Sequence, residues 1–136
     1  MLIVYLSWIA LTAGAAASAA ALYGHYRVLP GWLTGPEVCL MEDGGCAVLF
    51  RTPRASLLGV PNALLGVLLY AAIAAGLLFH WPPSLLFVMV LPAIMMSAFL
   101  AYSLISRRLE CRICWTGHAA NALLAVSLLL MWRRAQ

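Results

Sequence analysis

Four runs of apolar residues, each about as long as a bilayer is thick, dominate this chain. A helix needs about 20 consecutive apolar residues to cross the hydrocarbon core. The runs extend from Leu2 to Tyr23, Leu57 to Phe79, Ser84 to Ile105 and Cys111 to Trp132. Of the 136 residues, 65% are hydrophobic, more than a soluble domain of this size can hide from water. Backbone in lipid must satisfy its own hydrogen bonds, which leaves helices or closed barrels. The expectation is an all-α integral membrane protein, a four-transmembrane-helix bundle forming one domain over residues 1–136. It leaves no length for a separate soluble domain.

The first run is rich in alanine, with Ala15, Ala16, Ala17, Ala19, Ala20 and Ala21 close together. Small residues let helices approach closely in lipid. It lacks the positive start of a secretory leader, so it reads as an uncleaved span. Residues 24–55 form the one long polar connection, with Pro30, Pro36, Pro53 and several glycines. Its Trp32, Leu33, Val38, Leu40, Val48, Leu49 and Phe50 argue for order. Short helical turns lying at the membrane surface and covering the mouth of the bundle are expected there, because long loops in compact proteins are commonly functional. The hinge His80-Trp81-Pro82-Pro83 is short enough to make spans two and three antiparallel neighbours. Pro92 predicts a kink inside span three.

Four crossings put both termini on one side. The long connection and the Cys111–Cys114 end then share the other side, so all four cysteines face one membrane surface. The net charge of +4 is carried by arginine alone. These arginines flank apolar spans, which points to lipid headgroups. No basic stripe runs along an element, so nucleic acid is not an expected partner.

The cysteines come in two pairs, Cys39 with Cys46 and Cys111 with Cys114. Cys111 and Cys114 stand three apart at a helix start, on one face. Unpaired N–H groups and the helix dipole favour a thiolate there, and Arg107, Arg108 and Arg112 add positive potential. This is a redox-active setting; the plainer reading is two small buried cysteines. Gly44 and Gly45 give the segment between Cys39 and Cys46 freedom to bend. A small disulfide loop is feasible there, either static or able to swing a cysteine towards Cys111. Zinc is the competing use of four cysteines, but Cys39 and Cys46 are seven apart and little polar chain is available to wrap a metal; no metal is expected. The arrangement implies electrons passed between disulfides, with a lipid-soluble acceptor at the end.

The chain resembles the vitamin K epoxide reductase family in its bacterial and archaeal forms. The resemblance rests on the loop pair Cys39 and Cys46, then Leu58-Gly59-Val60-Pro61-Asn62 with Gly66 and Tyr70, then Cys111-Arg112-Ile113-Cys114-Trp115 with His118 and Asn121. It covers nearly the whole chain. It implies a thiol:quinone oxidoreductase that makes disulfides. Cys114 would face the quinone, Cys111 would close the disulfide with Cys114 and resolve through Cys46, and Cys39 would exchange with a thioredoxin-like or DsbA-like partner. Asn62 matches a polar residue of the family and would donate to a quinone carbonyl, or else bond a neighbouring helix. Pro61 before it suits a first-turn position. Thr52 stands where the family often has serine and keeps the hydroxyl. His118 stands where the vertebrate enzymes carry tyrosine; its imidazole would bond or protonate the quinone, or simply contact a helix. Trp115, Tyr70, Phe50 and Phe99 would wall the pocket. The quinone would be ubiquinone, menaquinone or a relative; the change at His118 counts against vitamin K epoxide as substrate.

Three rivals make different predictions. The DsbB family of four-span quinone-linked oxidases carries its CxxC pair first, the reverse of the order here. A thiol-ligated metal-binding membrane protein needs no quinone. A membrane scaffold with two inert disulfides has no turnover. The expected location is the inner or plasma membrane, multi-pass, with the thiol face outside the cytoplasm, where this chemistry is mostly used. The arginines argue the reverse: Arg27, Arg51, Arg54, Arg107, Arg108 and Arg112 share the thiol side, against Arg133 and Arg134 on the other.

Overall fold

The computed structural model describes residues 1–27, 29–30, 56–57, 60–106 and 111–136. In chain order these form helix α1 (Leu2–Tyr26), strands β1 (Ser56–Leu57) and β2 (Val60–Pro61), and helices α2 (Asn62–Leu78), α3 (Pro83–Ser106) and α4 (Arg112–Arg134). Among the described residues the architecture is helical apart from the small antiparallel ladder, where Ser56 pairs with Pro61 and Leu57 with Val60. Helices α1, α3 and α4 are each long and apolar enough to cross a membrane. Helix α2 is apolar but has 17 residues. At 1.5 Å per residue it is about 26 Å long, near the lower limit for a crossing.

Two boundaries differ from the sequence expectation. The first helix runs on through Gly24 and His25 to Tyr26, so the polar connection starts later than residue 24. Gly24 is buried, and packing outweighs its weak helix propensity. The second helix starts at Asn62 rather than Leu57. Proline disfavours helical geometry in the residue before it, and Val60 is accordingly drawn into the ladder. Pro61 is the N-cap, with φ −56° and ψ 128°, one position before the first turn. Helix α3 continues through Pro92, whose ring lies on the exposed side. The expected surface turns over residues 31–55 lie outside the described residues.

The end of α2 is a Schellman motif. The Trp81 N–H bonds the Gly76 carbonyl at 2.8 Å and the His80 N–H bonds that of Leu77 at 3.4 Å. This motif places its turning residue in the left-handed region, usually with glycine there. Here His80 occupies it, at φ 56°. The accompanying apolar contact is Trp81 against Gly76, where an added Cβ would come 3.0 Å from the indole. Pro82 and Pro83 then launch α3 in the opposite direction.

Two clusters fix the helix order in space. Ala10 and Leu11 of α1 pack with Tyr70 and Ile73 of α2, Leu86 and Val90 of α3, and Leu124 and Leu128 of α4. Ala17 packs with Leu29, Leu104, Cys111 and Ile113. Successive helices therefore run in alternate directions, with α4 lying along both α1 and α3 and α2 lying on α1. Small residues set the spacing around α1. A Cβ on Gly14 would fall 2.2 Å from the Tyr70 ring, and one on Gly66 would fall 2.6 Å from the Ser18 hydroxyl. Without a solvent-driven hydrophobic effect, this close approach is what holds helices together in lipid. Many large apolar side chains face outward, including Val88, Met95, Phe99 and Tyr102 of α3. In a water-soluble protein that surface would be a liability; against acyl chains it is the matching surface.

The alternation puts the end of α1, the start of α2, the end of α3 and the start of α4 at one end of the bundle. Cys111 and Cys114 are there. The connection carrying Cys39 and Cys46 leaves from Pro30 and returns at Ser56, next to Leu29 and to the start of α2 respectively.

Candidate functional site

Cys111 is the N-cap of α4, in extended geometry with φ −140° and ψ 105°. Its sulfur accepts the Cys114 backbone N–H at 3.4 Å. Serine, threonine, asparagine or aspartate usually take this position, because a side-chain acceptor satisfies an otherwise unpaired helix amide. A sulfur placed there feels the positive end of the helix, which favours the thiolate. The chain between them turns so that the Cys114 Sγ lies 2.6 Å from the Cys111 Sγ. The two sulfurs stand within reach of a disulfide bond. Cys111 is 1% exposed, sealed by Ala17, Leu29, Leu104 and Ile113. Cys114 is half-buried against the same cluster. Arg112, between them in sequence, is exposed.

The next turns of α4 continue the stripe. Cys114, His118 and Asn121 are spaced i, i+4 and i+7, which puts them on one side of the helix. The His118 Nε2 is buried and has no hydrogen-bond partner among the described residues. A buried ring nitrogen in that condition costs stability unless something bonds it. The Trp115 ring meets the His118 ring edge to face, with centroids 6.0 Å apart at 88°. Trp115 itself is 42% exposed, so one side of it faces out of the bundle.

One turn beyond His118, Asn121 uses both ends of its amide. Its Oδ1 accepts the Tyr70 hydroxyl at 2.5 Å, and its Nδ2 donates to the Ser97 hydroxyl at 2.7 Å. Tyr70 is 2% exposed and its ring fills the notch at Gly14. All four helices meet at this joint: Gly14 of α1, Tyr70 of α2, Ser97 of α3 and Asn121 of α4.

Of the residues singled out from sequence, Cys111, Cys114, Trp115 and His118 come together on the first two turns of α4. Asn62, the first residue of α2, is half-buried at the same end of the bundle. Tyr70 lies deeper, and its hydroxyl is engaged with Asn121. Phe99 points outward, 51% exposed. Cys39, Cys46, Phe50 and Thr52 lie outside the described residues. The sequence reading gives Asn121 no role of its own and passes over Ser97. The signal for both was present, since a polar side chain inside an apolar span is costly unless it has a partner or a function.

This arrangement can carry two electrons as a dithiol. Beside it are a buried imidazole nitrogen able to bond a ligand oxygen and the partly exposed Trp115 ring, against which a lipid-soluble ring can lie. The residues present therefore fit a quinone. In comparisons with known proteins, the family model described as the vitamin K epoxide reductase family matches residues 4–129. No curated protein and no solved structure matches the chain.

Proposed function

The chain belongs to the vitamin K epoxide reductase family, and from that premise we propose that it is a thiol:quinone oxidoreductase that generates disulfides for a thioredoxin-like partner. The family consists of membrane oxidoreductases with thiol–disulfide and quinone redox activity, and three apolar helices of spanning length accord with a multi-pass membrane protein. Helix α2 is the fourth crossing in this reading. Phe79, exposed just beyond its last turn, extends its apolar length. The thiol end faces away from the cytoplasm, into a compartment where disulfides persist.

The observation that carries the proposal is the capped cysteine pair beside an imidazole whose buried Nε2 has no hydrogen-bond partner among the described residues. Cys114 gives electrons to the quinone, and Cys111 closes the disulfide with it. The two thiols lose two electrons and two protons, and the quinone gains both to become the quinol. His118 holds a quinone oxygen and relays to it one of the two thiol protons during reduction. Asn62 donates a second hydrogen bond to the quinone, Thr52 retains the hydroxyl that the family often supplies from serine, and Trp115 shapes the apolar wall, with Tyr70 lying deeper behind it. The Cys111–Cys114 disulfide is then reduced through Cys46, and Cys39 exchanges with the partner's dithiol. Every step in that relay is attack of a thiolate on a disulfide.

The test is quinone reduction by the purified protein with a reduced thioredoxin-like protein as donor. Turnover is abolished in Cys114→Ala. In Cys39→Ala it is lost with the protein donor and kept when a small dithiol replaces it. Absence of turnover in the unsubstituted protein with ubiquinone and with menaquinone would return the cysteines to metal binding or structure.

A further inference from the structure

We propose that the Tyr70–Asn121–Ser97 joint is a positioning device for quinone reduction, which fixes the rotation of α4 and so presents Cys114 and His118 together to the quinone. The inference rests on the function proposed above and adds residues to it.

An asparagine amide has one acceptor and one donor end, and here each is held by a different helix. A single hydrogen bond to a flexible side chain would let α4 turn about its axis. Two bonds from opposite sides, to α2 and to α3, do not. The Tyr70 end is itself immobile, because the ring is buried and clasped against the backbone at Gly14. Ser97 is buried on α3. Rotation of α4 is therefore locked at Asn121. His118 and Cys114 precede it by three and seven residues, on the same stripe. Their direction follows from that lock.

The joint is also costly without a purpose. Three polar side chains meet inside an apolar bundle, and an apolar replacement of similar shape at each would pack as well. Interhelical hydrogen bonds in membranes average only about 0.6 kcal/mol in measured cycles, so stability alone is a weak reason to keep them. Orientation is a stronger one, because a misplacement of about 1 Å by a change remote from the chemistry can lower a rate by about 100-fold. None of the three needs to touch the quinone; each acts through α4.

The test uses Ser97→Thr and Ser97→Val, a pair of similar shape in which only threonine keeps the hydroxyl. Full-length protein in nanodiscs is assayed for quinone reduction with a small dithiol as donor, alongside its melting temperature and the alkylation rate of Cys114. We expect kcat/KM for quinone to fall by about 10-fold or more in Ser97→Val and to be recovered in Ser97→Thr, since position controls the rate. Cys114 is alkylated completely by excess reagent in both, which shows the thiol itself intact, while its alkylation rate departs from that of the parent protein only in Ser97→Val. Tyr70→Phe reproduces the Ser97→Val loss from the other side of the amide. Equal quinone kinetics in Ser97→Val and Ser97→Thr, with only the melting temperature differing, would overturn the positioning role. Failure of the parent protein to reduce any quinone overturns the functional reading instead, and the role with it.

Discussion

At Cys111 one sulfur both caps α4 and stands 2.6 Å from the Cys114 sulfur. Substitution separates these two roles. Serine keeps an acceptor for the Cys114 N–H; alanine does not, and loss of an N-cap costs about 1 kcal/mol. Cys111→Ser is therefore expected to melt close to the parent protein and Cys111→Ala to melt lower, while both lose disulfide formation at the quinone end. Thermal melts and thiol-dependent quinone reduction read the two effects separately. Equal melting of the two variants would show that the cap contributes nothing. Much of this was legible in the sequence: a cysteine just before an apolar run, followed three residues on by another, already marks a helix start. What the sequence could not give is which side chains close around the pair. Ala17, Leu29 and Leu104 come from distant points of the chain and meet Cys111 only in the folded bundle.

Among the elements, the end of α2 is where local preference and fold disagree most. His80 sits at φ 56° because the Schellman bonds from Trp81 and His80 require a left-handed residue there. An L residue with a Cβ pays roughly 1 kcal/mol or more in that region, and glycine does not. His80→Gly is expected to stabilise the protein by about 0.5–1 kcal/mol after the entropy that glycine adds to the unfolded chain. A melt in detergent checks the sign, and a lower melting temperature would show that the imidazole contributes contacts outweighing the backbone strain. The existence of each helix was readable from apolar run length. The starts were harder. Val60 and Pro61 are as apolar as the helix that follows, so hydropathy alone runs the span back to Leu57. Only the restriction that proline places on its predecessor separates ladder from helix. In α1 the reverse occurred: Gly24 and His25 look like a stop, yet packing carries the helix through them.

For the molecule as a whole, alternating helix directions bring the CxxC end of α4 to the place where the cysteine-bearing connection leaves and returns. That juxtaposition was legible from counting apolar runs, because an even number of antiparallel helices allows no other arrangement. The four-helix joint at Tyr70 was not. Hydrogen bonds between Ser97, Asn121 and Tyr70 depend on helix rotation, which run length does not encode. The central claim is that the Cys111–Cys114 dithiol itself reduces a quinone, with the other pair serving to recharge it. The most direct measurement is therefore a single turnover. Protein carrying Cys39→Ala and Cys46→Ala is reduced with a small dithiol, freed of excess reductant and mixed anaerobically with quinone in nanodiscs. The account predicts one quinol formed per protein, with Cys111 and Cys114 recovered as a disulfide. Intact thiols at both positions and no quinol would contradict it.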